Sequence, residues 1–202
     1  MEFPLKLVLI RHAMTAGNLS GQYIGSTDQP LCQAGIELAQ IAAQITPQVN
    51  RVYCSPLLRC RQTAEILYPQ HIAREVIDLR ETDFGSFEGK THTELATDPD
   101  YQAWIASAGV LPPPGGESTM HFSRRCVAAL TGIFTEMARE HILSAACVIH
   151  GGSIMAVMAA LASPKRPFYD WQTKNCGGFV VNARPKSGRL LLLEELQPSY
   201  RP

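Results

Sequence analysis

Leu7-Val8-Leu9-Ile10-Arg11-His12 is the stretch of sequence that decides the fold. Its four consecutive apolar residues predict a strand that is buried on both faces, as in a parallel sheet. The strand ends in a cation and an imidazole, and small and polar residues follow at once. Open α/β sheets bind their ligands at the carboxyl ends of such strands. An isolated Arg-His pair would only mark a strand's exit to solvent, but two later segments deliver similar groups.

The first of these segments is a second buried strand, Ala145-Ala146-Cys147-Val148-Ile149, which leads directly to His150. Gly151-Gly152 follow and turn into a helix predicted over residues 153–161. Backbone N–H groups at a helix N-terminus can approach an anion closely, and glycine leaves room for that approach. This segment therefore predicts a second imidazole and an anion-binding backbone.

The second segment is a short strand, Arg51-Val52-Tyr53-Cys54, followed by Ser55-Pro56. Serine as the N-cap with proline at the first helical position predicts a helix that runs to about Tyr68 and carries Arg59. If the strands are neighbours, two arginines and two histidines converge on one pocket, and tetrahedral phosphate fits such a pocket well. A neutral imidazole beside a bound phosphate is a competent in-line nucleophile.

The rest of the chain predicts an alternation of helices and strands. A strand is predicted over residues 75–80, which leads to Glu81, the best candidate to protonate the leaving oxygen. Helices are predicted over residues 34–42, around residue 93, over 101–107 and over 118–141, and a hairpin over 178–183 and 189–195 with a turn at 186–188. This pattern predicts a mostly parallel sheet covered on both faces, in one domain over residues 1–202 with an insertion at about 84–117 that covers one end of the sheet.

Composition limits the possible partners of the chain. The 202 residues are 46% hydrophobic and 18% charged with a formal net charge of zero, so no global field attracts nucleic acid or an anionic membrane. The apolar run at residues 5–10 is too short for a membrane span and lacks the features of a signal peptide. Six scattered cysteines without C-x-x-C spacing predict reduced, core-filling thiols in a cytoplasmic protein, with no metal and no cofactor. The oligomeric state stays open, with a homodimer among the alternatives.

Five motifs in order resemble the histidine phosphatase superfamily, in its phosphoglycerate-mutase-like branch. They are Arg11-His12-Ala13, Ser55-Pro56-Leu57-Leu58-Arg59-Cys60, the stretch Leu79-Arg80-Glu81-Thr82-Asp83-Phe84-Gly85-Ser86-Phe87-Glu88-Gly89, Gly115-Gly116-Glu117-Ser118 and Ile149-His150-Gly151-Gly152. Each motif alone is weak, but five in the right order between residues 5 and 162 are specific.

The resemblance implies a role for each site residue. His12 would become phosphorylated, and Arg11, Arg59 and His150 would complete the phosphate pocket. Asn18 matches a further phosphate-contacting position, Gly151 lies where a backbone amide meets the anion, and Glu81 matches the proton donor. The family needs no metal, and its fold is a three-layer α/β/α sandwich with one antiparallel edge strand.

Two positions depart from the family pattern. Ala13 replaces the usual glycine, which is tolerated if its φ is negative. Cys32 stands where the family tends to have threonine as a helix cap, which should weaken the helix and leave the chemistry intact.

Several other residues have a simpler structural interpretation. Arg124-Arg125 on the long helix is interpreted as a solvated face. Glu117 has two equally good interpretations, a charge before a helix N-terminus and a role in the pocket. Trp104, Phe84 and Phe87 can line a substrate pocket, but aromatic residues in an insertion more often pack against each other.

The sequence also favours a phosphatase over a mutase. Between residues 84 and 118 there is no arginine and one lysine, Lys90, against five carboxylates, so this surface suits a second strong anion poorly. Hydrolysis of a small phosphate ester with a neutral remainder is therefore the leading hypothesis, and the motifs resemble those of the α-ribazole phosphatases of cobalamin assembly. Phosphoglycerate mutase is the first alternative. A non-catalytic phosphate-binding protein and a metal-dependent phosphatase rank below it.

Overall fold

A computed structural model of the protein describes residues 5–184 and 188–198. The strands are β1 (Leu5–Arg11), β2 (Arg51–Cys54), β3 (Arg74–Glu75), β4 (Ser144–Ile149), β5 (Ala162–Ser163), β6 (Gly178–Arg184) and β7 (Arg189–Leu196). The α-helices are α1 (Ala16–Leu19), α2 (Gln33–Ala43), α3 (Leu58–Leu67), α4 (His92–Leu95), α5 (Pro99–Ala106), α6 (Thr119–Arg139) and α7 (Gly151–Leu161). Short 3-10 helices cover Ile77–Leu79, Gly85–Phe87 and Phe168–Trp171.

The described strands form one mixed sheet in the order β3-β2-β4-β1-β6-β7-β5. β1 pairs in parallel with β4, and β4 pairs in parallel with β2. β6 pairs antiparallel with both β1 and β7. The predicted, mostly parallel sheet is confirmed. The antiparallel strand is β6, and it is internal where the resemblance implies an edge strand, because β7 and the two-residue β5 extend the sheet beyond it.

The alternating side chains of β1 divide the core into two layers. Leu7 and Leu9 are fully buried in a cluster with α6 and α7, whereas Val8 and Ile10 are buried in a cluster with α2 and α3. A strand covered on both faces reads as an uninterrupted apolar run, which is the pattern that the sequence shows. The predicted three-layer sandwich is thus confirmed, and β1 lies at its centre.

The helix after β2 begins later than the sequence predicts. Leu57 is the N-cap of α3 and makes no side-chain cap, so the prediction of Ser55 as N-cap is wrong. Ser55 instead continues the sheet, since its N–H donates to the carbonyl of Val148 at 3.1 Å. Its hydroxyl faces His150, with Oγ and Nε2 2.8 Å apart. The helix therefore starts only after the chain has left the sheet.

The predicted strand over residues 75–80 is also wrong. Only Arg74 and Glu75 pair with β2, and the chain then forms the 3-10 helix Ile77–Leu79. Leu79 turns inward and is fully buried, while Ile77 stays exposed. Burial of Leu79 against the α6 and α7 layer favours the turn over a longer edge strand, and the turn carries the chain to Glu81.

Other predicted boundaries are close to those observed. Ser118 caps α6 through a bond from the N–H of His121 to its Oγ at 3.3 Å, as predicted, and the helix ends at Arg139. α7 begins at Gly151, two residues earlier than predicted, with His150 as its N-cap. The predicted hairpin is present as β6 and β7, and Lys186 and Ser187 of its turn lie outside the described residues.

Residues 84–117 contain α4, α5 and a separate aromatic cluster. Phe87, Leu95 and Tyr101 are buried in this cluster, and the partly buried rings of Tyr23, Phe84 and Trp104 pack against them. The aromatic residues thus contact one another, as the simpler interpretation predicts. The role of this segment as an insertion over one end of the sheet stays a prediction. No helix in the described part of the chain is long and apolar enough to cross a membrane.

Candidate active site

The two predicted histidines meet at the carboxyl ends of β1 and β4. His12 follows β1 and His150 follows β4, and these strands are parallel neighbours in the sheet. The ring centroids lie 5.2 Å apart at an interplanar angle of 65°. Both side chains are buried, with His12 4% exposed and His150 fully buried. The register of β1 on β4 therefore brings both imidazoles into one pocket.

The backbone fixes the tautomer of His12. Its Nδ1 lies 2.7 Å from the carbonyl oxygen of Ala13, which can only accept, so Nδ1 carries the proton and Nε2 has the free lone pair. Burial, together with Arg59 and Arg11, holds the pKa of His12 well below its ordinary value. Ala13 is not among the residues with positive φ, so alanine fits here as expected. The N–H of Ala13 donates to Thr63 Oγ1 at 2.9 Å, which holds this turn in place.

Arg59 is fully buried and is held by a loop rather than by a carboxylate. Its Nη1 donates to the carbonyl of Thr27 at 2.9 Å and its Nη2 to that of Gly25 at 2.8 Å. Arg11 is held in the same way, with Nη1 2.8 Å from the carbonyl oxygen of Thr173. In the described part of the chain, the buried side-chain N and O atoms without a partner are Nε of Arg11 and Nε of Arg59. The pocket thus has two oriented cations with donors to spare.

His150 contacts a hydroxyl and a thiol. Its Nε2 lies 2.8 Å from Ser55 Oγ and 3.5 Å from Cys60 Sγ. Burial and the nearby Arg59 lower the pKa of His150 well below its ordinary value. Burial also raises the pKa of the Cys60 thiol well above its ordinary value. Cys60 is therefore an uncharged packing partner of His150, as its simpler interpretation predicts.

Asn18 lies beside His12 in a network that the sequence only partly reveals. Its Oδ1 accepts from the N–H of Thr15 at 3.1 Å in a capping box, and from Asn175 Nδ2 at 3.3 Å. Asn175 Nδ2 also donates to the carbonyl of His12 at 2.9 Å. Asn175 and Thr173 belong to the loop before β6, and sequence reasoning missed both. The only available signal was the turn-rich stretch 174–178 ahead of a strand.

Glu81 reaches the same pocket from the other side. Its Oε1 accepts from the N–H of Thr82 and its Oε2 from the N–H of Gly152, each at 2.9 Å. A Cβ at Gly152 would overlap the Glu81 carboxylate, so a larger residue there would displace that carboxylate from its present position. Burial raises the pKa of Glu81, although both N–H bonds favour the charged form. The N–H of Gly152 is thus engaged by Glu81, and the contact of the Gly151 amide with an anion stays a prediction.

An open groove of about 850 Å³ extends from Glu81. Its lining includes Ser26, Arg80, Asp83, Glu117, His121, Arg124 and Arg125. Three arginines line this groove, namely Arg80, Arg124 and Arg125. They lie outside residues 84–118, the segment whose lack of arginine argues against a second anion in the substrate. The charges of residues 84–118 alone therefore do not describe the charge of the groove.

The interpretation of Arg124-Arg125 as a solvated face is wrong for Arg125. Arg124 is exposed, but the Arg125 side chain is only 12% exposed and pairs with Glu117 at 2.6 Å. The sequence could not show this pair, since Glu117 precedes the N-cap of α6 and lies eight residues before Arg125. Glu117 thus lies at the groove and its charge is engaged by Arg125.

The cysteines and other potential ligands do not assemble around a metal position. All six cysteines are free thiols, and five are buried. No three His, Cys, Asp or Glu side chains within residues 5–184 and 188–198 are grouped so that they could hold a metal ion.

The three-layer α/β/α fold, whose central strands β1 and β4 lead to His12 and His150 with Arg11 and Arg59 in the same pocket, defines a phosphoglycerate mutase-like enzyme of phosphate esters. The chain belongs to the histidine phosphatase superfamily (branch 1), whose family model matches residues 7–195. It is a hydrolase of phosphoric monoesters, like its relatives.

Similar proteins carry several phosphatase names. The chain is 34% identical over 166 residues to the adenosylcobalamin/alpha-ribazole phosphatase of Salmonella typhimurium. This alignment covers 78% of this chain and 79% of the relative. A structure of a putative alpha-ribazole-5'-P phosphatase from Escherichia coli has a TM-score of 0.85 at 26% identity, covering 96% of this chain and 97% of that one. A phosphoserine phosphatase from Entamoeba histolytica, in complex with 3-phosphoglyceric acid, has a TM-score of 0.81 at 28% identity, with coverage of 96% and 97%.

Proposed function

We propose that the chain is a metal-independent phosphomonoesterase that forms a phosphohistidine on His12. The observation that carries the proposal is the bond between His12 Nδ1 and the carbonyl of Ala13. This bond leaves the Nε2 lone pair free, and the low pKa of His12 keeps the ring neutral. A neutral, oriented imidazole next to Arg11 and Arg59 is suited to attack a bound phosphoryl group.

In the first step, His12 Nε2 attacks phosphorus in line with the leaving oxygen. An N–P bond forms as the P–O bond to the leaving group breaks. Arg11, Arg59 and His150 stabilise the charge on the three equatorial oxygens, and the protonated Glu81 gives its proton to the leaving oxygen. The raised pKa of Glu81 favours this protonated form.

In the second step, water replaces the leaving group. The Glu81 carboxylate takes a proton from the water, whose oxygen attacks phosphorus as the N–P bond breaks. Inorganic phosphate forms, the electron pair returns to His12 Nε2, and Glu81 is again protonated. The step needs no metal ion, since the water is activated by the carboxylate and the charge is met by arginine.

For the substrate, we infer a nucleoside-sized ester such as α-ribazole 5′-phosphate. The groove of about 850 Å³ beside Glu81 lies in the range of sites that hold molecules larger than an amino acid. The relative from Salmonella typhimurium and the structure from Escherichia coli carry α-ribazole in their names. We do not expect Phe84 or Trp104 to stack on the substrate, because these rings already pack within the aromatic cluster.

A second candidate has an anionic leaving group, as in phosphoserine or 3-phosphoglycerate, and would extend to phosphoglycerate mutase activity. Arg80 and Arg124 support it, since both are exposed and line the groove. The Entamoeba histolytica structure, which is named as a complex with 3-phosphoglyceric acid, supports it too. Asp78 and Asp83 line the same groove and oppose a second anion there.

The test is phosphate release in EDTA from α-ribazole 5′-phosphate, phosphoserine and 3-phosphoglycerate at equal concentrations. We expect EDTA-resistant release that is fastest with α-ribazole 5′-phosphate. His12→Ala should abolish it, and His71→Ala, which removes a histidine outside the pocket, should leave it unchanged. Release that requires metal, or that survives in His12→Ala, would refute the mechanism. A preference for either of the other two esters would refute the substrate assignment alone.

A further inference from the structure

We propose that Arg125 is a positioning residue that holds Glu81 at the leaving oxygen, an inference that rests on the proposed role of Glu81 as proton donor. Arg125 lies on α6, beyond the carboxylate of Glu81, and contacts the backbone that carries it. It acts through Glu81 and not on the substrate.

The first observation is a set of bonds from Arg125 to one short segment. Nη1 donates to the carbonyls of Asp78 at 2.9 Å and Arg80 at 2.8 Å. Nη2 donates to the carbonyl of Glu81 itself at 2.9 Å. One guanidinium therefore engages three of the four carbonyls between residues 78 and 81. This segment needs such contacts, because the 3-10 helix ends at Leu79 and no strand follows.

The second observation is that Arg125 is itself held by Glu117. Arg125 Nε lies 2.8 Å from Glu117 Oε1, and Nη2 lies 2.6 Å from Oε2, which is a bidentate pair. The Glu117 side chain is 13% exposed. Its backbone N–H also donates to the carbonyl of Asp83 at 2.9 Å. The pair thus holds the chain on both sides of Glu81.

The third observation comes from the opposite side of the segment. Ser153 Oγ of α7 lies 3.2 Å from the carbonyl oxygen of Leu79 and 3.3 Å from that of Arg80. Gly152, its neighbour, donates to the Glu81 carboxylate. Glu81 is therefore set between α6 and α7, and Arg125 supplies the contacts from the α6 side.

The chemistry requires this accuracy. A proton donor must lie within hydrogen-bond distance of the leaving oxygen, and a displacement of about 1 Å can cost on the order of 100-fold in rate. Arginine suits the position because its planar group offers five donors in a fixed geometry, whereas lysine offers a single point charge. Arg125→Lys therefore keeps the charge opposite Glu117 and loses most of the contacts to the backbone.

The experiment compares two leaving groups. 4-Nitrophenyl phosphate releases a stable phenolate and needs little protonation, whereas an alkyl phosphate depends on the proton donor. We would measure kcat/KM for 4-nitrophenyl phosphate and for the alkyl phosphate that the unmodified chain hydrolyses fastest. For Arg125→Lys we expect a loss of about 10- to 100-fold with the alkyl ester and of less than about threefold with the aryl ester. Arg139→Lys, on the same helix and paired only with Glu140 at the surface, should change neither.

A double variant separates positioning from general loss of structure. In the Glu81→Gln background, Arg125→Lys should add no further selectivity between the two esters, since there is no proton donor left to position. If Arg125→Lys does not fold, Glu117→Gln replaces it. This variant should also lose more kcat/KM with the alkyl ester than with the aryl ester, but the difference should be smaller. An equal loss with both esters, or an undiminished split in the Glu81→Gln background, would overturn the proposal. If the unmodified chain hydrolyses neither ester, the proposed function fails as well, which is a distinguishable result.

Discussion

The phosphate side and the leaving-group side of the pocket are built in different ways. On the phosphate side, His12 and His150 follow central strands directly, and both they and Arg59 are buried. On the leaving-group side, Glu81 follows a 3-10 helix, and the groove beyond it is lined by exposed Arg80 and Arg124. The sheet therefore fixes the groups that we propose act on phosphorus, whereas loops and long side chains line the groove on the side of the proposed leaving group.

The two sides also handle charge differently. Main-chain carbonyls hold Arg11 and Arg59, so their positive charges stay available to an anion. Arg125 is neutralised by Glu117 in a bidentate pair. We therefore propose that the cations of the phosphate side serve binding, while Arg125, the half-buried cation of the leaving-group side, serves structure. Variants on the two sides should consequently differ in whether they discriminate between leaving groups.

The largest expected effect among these variants is that of Arg59→Met. It removes a cation that stabilises the transferred phosphoryl group, so kcat/KM should fall by on the order of 100- to 1000-fold. The fall should be equal for alkyl and aryl phosphates, since both transfer the same group. Steady-state kinetics with the two esters provide the measurement, and thermal unfolding shows whether the variant is folded. A fall in kcat/KM that is confined to the alkyl ester would contradict the proposed difference between the two sides.

Glu81→Gln should have the next largest effect and, unlike Arg59→Met, should affect the alkyl ester far more than the aryl ester. Only the protonated carboxyl donates, so kcat/KM for an alkyl ester should fall as the pH rises through the pKa of Glu81, which burial raises. In Glu81→Gln this decline should vanish and the alkyl ester should lose on the order of 100-fold, with little change for 4-nitrophenyl phosphate. The pH profile of kcat/KM is the measurement. A decline at high pH that persists in the variant would assign it to another group.

The phosphate side should also determine how stability depends on pH. Burial, Arg59 and Arg11 hold the pKa of His12 well below 6.5, and burial with Arg59 does the same for His150. The unfolded chain therefore binds protons below pH 6.5 that the folded chain does not. Stability is greatest above this pH and falls as the pH decreases, by about 1.4 kcal/mol per pH unit for each imidazole.

Urea unfolding at a series of pH values between 7.5 and 5 measures this dependence. His12→Gln should remove the share of one imidazole from the slope. A chain whose stability is constant down to pH 5 would show that the two rings are protonated in the folded state, contrary to this account.

The smallest expected effect is that of Asn175→Ala. The amide donates to the carbonyl of His12 and to Asn18, and loss of one such hydrogen bond is worth about 1 kcal/mol. We expect kcat/KM to fall about fivefold with both esters alike. Asn182→Ala, a change on β6 away from the pocket, is the matched control. A fall in kcat/KM that is larger for one ester than for the other would contradict the assignment of Asn175 to the phosphate side.

The difference between the two sides also determines what the sequence could predict. The places of His12 and His150 were predictable because each directly follows a buried strand, and parallel neighbours end at the same edge of a sheet. The place of Arg59 was predictable because a strand, a turn and a helix start carry it to that edge. The α/β/α class was predictable for the same reason, since the uninterrupted apolar runs of β1 and β4 require cover on both faces.

The leaving-group side was not predictable in the same detail. Residues 75–80 have strand-like composition, but burial of Leu79 turns them into a 3-10 helix. Arg125 looked like a surface residue because its partners, Glu117 and the carbonyls of residues 78–81, are assembled only by tertiary packing. Asn175 escaped notice because its loop reaches β1 only through the antiparallel pairing of β6. Local patterns carry no information about such contacts.

The carbonyls that hold Arg11 and Arg59 have a consequence for the thermodynamics of the product. The two guanidinium groups are fixed in one pocket during folding, so the repulsion between their positive charges opposes folding. Under the proposed function, inorganic phosphate binds between the two guanidinium groups and should relieve that repulsion. A ligand that binds only the folded chain adds about 2.7 kcal/mol of stability at a hundred times its Kd. Product inhibition and stabilisation by phosphate therefore have the same origin, and an enzyme that resists heat better in phosphate buffer is also one that releases its product more slowly.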